Sequence, residues 1–103
     1  MERDAKSLLF EIVESCRKIE EFTASIDFEK YAGDILIKSA VERQFIIIGE
    51  ALNRLKLTDE AIFNTIADAS QIVGFRNILV HGYDVVSDQL VWGIVSENLT
   101  ELR

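Results

Sequence analysis

Val41-Glu42-Arg43-Gln44-Phe45-Ile46-Ile47-Ile48-Gly49-Glu50-Ala51 is the stretch that decides the fold. Its centre, Phe45 to Ile48, is apolar on every side, and periodicity alone fits a buried strand as well as a buried helix. The flanks choose helix. Glu42-Arg43-Gln44 before the run and Glu50-Ala51-Leu52 after it carry no turn signal, and with no proline and only 5 glycines in 103 residues a helix can run from about Ile35 to about Leu55. A helix that is apolar all round has to be buried all round, so this one is expected at the centre, against other helices or a second protomer. Gly49 would let a neighbouring helix come close. Glu42 and Glu50 sit awkwardly on so buried an element, and Arg43, Arg54 and the functional site all remain open as their partners.

Upstream, Leu8, Leu9, Ile12, Val13, Cys16, Ile19 and Phe22 recur every three or four residues, which predicts a first helix from Asp4 to about Phe22. A polar break at Thr23 to Asp27 follows, where Ser25 or Asp27 can cap a short turn carrying Phe28 and Tyr31 and bent at Gly33. Downstream, Thr58-Asp59-Glu60 reads as a capping hydroxyl and two acids opening a short helix through about Ile66. Asp68-Ala69-Ser70-Gln71 resembles a capping box, and the helix it opens should end at Gly82. Ser87 or Asp88 then caps a last helix whose apolar face is Leu90, Val91, Ile94, Val95, Leu99 and Leu102. The expectation is an all-α antiparallel bundle of about five helices, a single domain over residues 1–103, small enough that a homodimer would help stabilise it.

Composition narrows the function. The formal net charge of −7 and a sequence pI near 4.6 argue against broad nucleic-acid affinity through phosphate neutralisation, so any binding of nucleic acid must be local. No signal peptide or apolar run of membrane length is present, which points to a cytoplasmic protein with no membrane contact. Cys16 lies on the apolar stripe of the first helix, where a buried thiol is expected rather than a nucleophile. One histidine, one cysteine and no Glu-x-x-His pair leave out the usual zinc and carboxylate-bridged two-metal sites, and there is no Gly-rich phosphate loop. Chemistry is expected to need no metal and no cofactor.

That chemistry is expected at Arg76-Asn77-Ile78-Leu79-Val80-His81-Gly82-Tyr83, which gathers the only histidine with an arginine, an asparagine and a tyrosine. Free imidazole titrates near pH ~6.5 and can move a proton to or from a hydroxyl, while a guanidinium offers a planar fork to phosphate oxygens. Together they can cleave RNA without a metal. On a helix of ~3.6 residues per turn, His81 stands about 40° from Asn77 but about 140° from Arg76. Asn77 can therefore reach the imidazole. For Arg76, either the helix loosens before His81, or a phosphate lies across two faces, or a second copy of the chain completes the site. Structural roles stand beside these: Arg76 could pair with an acid, Asn77 could bond at a helix end, and Tyr83 could simply pack.

The pattern Arg-x4-His-x-Tyr, with Asn77 after the arginine, resembles the signature of the HEPN superfamily. Val41 to Ala51 upstream and Val91-Trp92-Gly93-Ile94 downstream resemble its HepT branch, and the similarity spans nearly the whole chain. The resemblance implies a metal-independent endoribonuclease toxin of a toxin–antitoxin pair, with Arg76 and His81 catalytic and Asn77 supporting them. It also implies a partner, an MNT-type nucleotidyltransferase antitoxin, that adenylylates Tyr83 and so blocks RNA; the ATP is the partner's. The alternative is a non-catalytic HEPN module that binds the nucleotidyltransferase or a nucleotide through the same residues.

Overall fold

The computed structural model describes residues 4–81 and 87–97. Six helices follow in order: α1 Ala5–Thr23, α2 Phe28–Ala32, α3 Ile35–Thr58, α4 Glu60–Thr65, α5 Ala69–His81 and α6 Asp88–Glu97. No strand occurs among the described residues, and the all-α expectation holds. Leu99, Leu102 and the helix end expected at Gly82 lie outside them.

Aspartate starts most of the helices. Asp4, Asp27, Asp34 and Asp59 each accept a hydrogen bond from the backbone N–H three residues on, at 2.8, 2.9, 3.1 and 3.2 Å, and Ser87 does the same for α6 at 3.1 Å. Each satisfies a donor that the helix itself leaves without a partner, and the aspartates also place acid at the positive end of the dipole. Part of the chain's acidity is thus structural. The Thr58 cap is corrected: Thr58 is the last residue of α3, and Asp59 both donates its N–H to the Leu55 carbonyl at 2.7 Å and caps α4. One residue ends one helix and opens the next, so α3 runs three residues past Leu55 and leaves Leu57 exposed.

Helix α3 is central, as its composition requires. It packs against α1, α5, α4 and α2, and Val41, Phe45, Ile48, Ala51, Leu52 and Leu55 are within 1% of complete burial. Burial is not equal all round, however. Ile46 and Ile47 are only half-buried, because α1 and α5 between them do not enclose the whole circumference. Phe45 and Phe75 meet edge to face with ring centroids 5.3 Å apart, which joins α3 to α5 one residue before Arg76. Cys16 is fully buried in the same core, as its stripe predicts.

Helix α6 is fixed at its start. Trp92 packs on Tyr31 at 5.3 Å and on Phe28 at 6.5 Å, and Lys38 on α3 stands 3.5 Å from Asp88. Val91 faces the core, whereas Leu90 turns outward against expectation. Glu42 lies near this junction; burial raises its carboxyl above the usual range, with Lys38 opposing and Asp88 adding to the shift. The Tyr31 hydroxyl is raised as well, by burial first and then by Glu42 and Asp88.

Candidate functional site

The register of α5 decides where each candidate side chain goes. Ala69, Ile72, Phe75 and Leu79 form its buried stripe, and on a helical projection Arg76 falls within that stripe's arc, about 40° from its middle. Arg76 therefore leaves α5 toward α3, where a large residue would collide with it. The residue opposite is Gly49. A Cβ placed on Gly49 would overlap the Arg76 Cβ and stand 2.6 Å from its Cγ, so the missing side chain is what gives the arginine stem its seat. The close approach expected at Gly49 is thus made by Arg76.

At the end of that stem the guanidinium meets two polar partners among the described residues. Its Nη1 donates to Asn77 Oδ1 at 2.9 Å, and its Nη2 stands 3.7 Å from Glu50 Oε1. Among the described residues its buried Nε has no acceptor, and an unmade hydrogen bond of this kind costs about 1–3 kcal/mol. The Glu50 pair is worth at most about 1 kcal/mol, since its carboxylate is half exposed. These contacts aim the guanidinium more than they hold the fold. Of the partners open to Glu50, the site is the one it reaches.

His81 is the last residue of α5 and is exposed, about 140° around the helix from Arg76. Among the described residues no hydrogen bond joins it to Asn77, whose carbonyl oxygen is turned to Arg76 instead. The helix keeps its regular form through His81, so Arg76 points inward to α3 while His81 points away from the core. The expected divergence is real. Tyr83 lies outside the described residues. Beside this outward face, Ile72, Phe75, Ile78, Leu90 and Ile94 line an apolar groove between α5 and α6, with Ile78 and Leu90 exposed.

Sequence reasoning did not assign Glu50 to Arg76 or Gly49 to the arginine stem. A glycine and an acid directly after three isoleucines were the signal available. Among the described residues no group of three or more His, Cys, Asp or Glu side chains is placed to hold a metal ion, and no helix is long and apolar enough to cross a membrane.

Fold and site define an all-helical protein whose fifth helix presents an aimed arginine and an exposed histidine. The model of the family described as ribonuclease HepT-like matches residues 12–103, and the chain belongs to that family. It is 35% identical over 101 residues to a candidate RNase of Methanocaldococcus jannaschii, covering 98% of this chain and 92% of the relative. A second candidate RNase of that organism is 29% identical over 101 residues, covering 98% and 83%. A probable ribonuclease HepT of Thermococcus cleftensis is 32% identical over 103 residues, covering 100% and 93%. No solved structure matches the chain significantly.

Proposed function

We propose that this protein is a metal-independent endoribonuclease of the toxin kind, acting through Arg76 and His81. The observation that carries the reading is the aimed guanidinium of Arg76 on the same helix end as the exposed His81, in a chain of the HepT-like family. His81 takes the proton from the ribose 2′-hydroxyl, or returns one to the departing 5′-oxygen. Arg76 stabilises charge on the phosphorane, and Asn77 holds the guanidinium through Oδ1 while its amide N–H groups stay available to a phosphate oxygen. RNA is the substrate, and the protein needs no cofactor of its own.

Because Arg76 and His81 diverge on α5, we take the working form to be a homodimer in which a second copy approaches the outward face of this helix. Supporting this, Ile78 and Leu90 are exposed beside an apolar groove, and a Cβ added at Gly74 would meet no atom of the described residues within 4 Å. The antitoxin would be a nucleotidyltransferase of the MNT type that adenylylates Tyr83, two residues beyond His81.

Toxicity of variants tests the assignment. His81→Ala should abolish growth arrest, and Arg76→Lys should fail nearly as badly, since an ammonium cannot reproduce the planar fork. Both should keep wild-type helical circular dichroism. Loss of toxicity that only follows loss of helicity would reduce the two residues to structural ones.

A further inference from the structure

Glu50 and Gly49 are consecutive on α3, and both meet the same residue of α5. Gly49 clears the space into which the Arg76 stem descends, and Glu50 stands 3.7 Å from its Nη2 while Asn77 takes Nη1 at 2.9 Å. The guanidinium is therefore hydrogen-bonded at one outer nitrogen and faces a carboxylate at ion-pair distance from the other. We propose that Glu50 is a positioning residue of the ribonuclease site: it fixes the plane of the Arg76 guanidinium and occupies it until RNA phosphate arrives. The inference rests on the ribonuclease reading for its consequence in catalysis, though not for the clamp itself.

The chemistry of the clamp sets its signature. A carboxylate beside the guanidinium repels an incoming phosphate, so it weakens ground-state binding of RNA. The same carboxylate removes rotational freedom from the arginine before charge builds on the phosphorane, which is worth most in the transition state. Removing its charge should lower both KM and kcat. A purely structural glutamate would not give that pair of changes, because loss of fold raises KM or leaves it alone.

The experiment compares wild type, Glu50→Gln and Arg76→Ala on a single-stranded RNA, and follows the Arg76 side chain by nuclear magnetic resonance. In Glu50→Gln, rotation about the Arg76 Nε–Cζ bond should quicken, KM should fall severalfold and kcat should fall about tenfold, less than the ~10²–10³-fold seen when a charge-stabilising donor itself is lost. Melting temperature should stay within a few degrees of wild type, the pair being largely solvated. If wild type does not cleave, or Arg76→Ala cleaves as well as wild type, the ribonuclease reading fails and the catalytic role of Glu50 falls with it; rotation of Arg76 then still decides the clamp. If wild type cleaves, Arg76→Ala is dead and Glu50→Gln matches wild type in kcat and KM, Glu50 positions nothing and the inference alone is overturned.

Discussion

Glu42 shows how a single side chain can carry a tension between burial and charge. Burial is the leading cause that raises its carboxyl above 4.5, and Asp88 adds to it against the help of Lys38. A raised carboxyl binds its proton more tightly in the folded chain, so the contribution it makes is fully present below the unfolded value and is lost as pH rises through the folded one. At neutral pH the ionised group therefore weighs against the fold. Glu42→Gln should raise the urea midpoint at pH 8 and raise it less at pH 5, closer to the range in which a raised carboxyl takes up its proton. A gain that grows toward pH 5 would mean that the Lys38 attraction outweighs burial. Residue-scale partners were the least legible part of the sequence: Arg43 and Arg54 share a helix with Glu50, yet the arginine it meets comes from another helix, and no local periodicity encodes that meeting.

Elements were read more securely, because their signals are local. Caps at Asp4, Asp27 and Ser87 stand in the chain next to the apolar stripes they open, and those starts match expectation. The end of α3 was harder to place, since Leu55 to Thr58 contains no breaker and Asp59 serves two helices at once. The inward aim of Arg76 was missed for a different reason: it depends on which side of α5 the core lies, and that is set by Phe75 packing on Phe45. Gly49→Ala tests the resulting seat. Alanine favours a helix over glycine by about 1 kcal/mol, so an unconstrained site would be stabilised. Here the new methyl meets the Arg76 stem, and melting temperature should fall together with ribonuclease activity. A stabilised and fully active Gly49→Ala protein would show that Arg76 has room elsewhere.

At the scale of the whole molecule, the net charge of −7 means that RNA gains little from the surface at large and must be held locally. One added phosphodiester beside the bound RNA would then be a large perturbation, and we propose that modification at Tyr83 supplies it. Co-expression with the cognate nucleotidyltransferase should add one or more AMP units to Tyr83 and silence cleavage, and Tyr83→Phe should stay unmodified and active, as read by intact and peptide mass spectrometry. Tyr31 is fully buried and should carry no adduct. An adduct found elsewhere, or full silencing of Tyr83→Phe by an active partner, would place control in direct occlusion of the site.

The proposed chemistry needs only an imidazole, a guanidinium and the substrate's own hydroxyl to cut RNA. Its most direct measurement incubates the purified, unmodified protein with single-stranded RNA in excess chelator and identifies the new ends. Cleavage should proceed at an undiminished rate and leave a 2′,3′-cyclic phosphate or its hydrolysis product, and His81→Ala should not cleave. Cleavage that stops on chelation and returns with a divalent ion, or ends bearing a 3′-hydroxyl, would contradict the account.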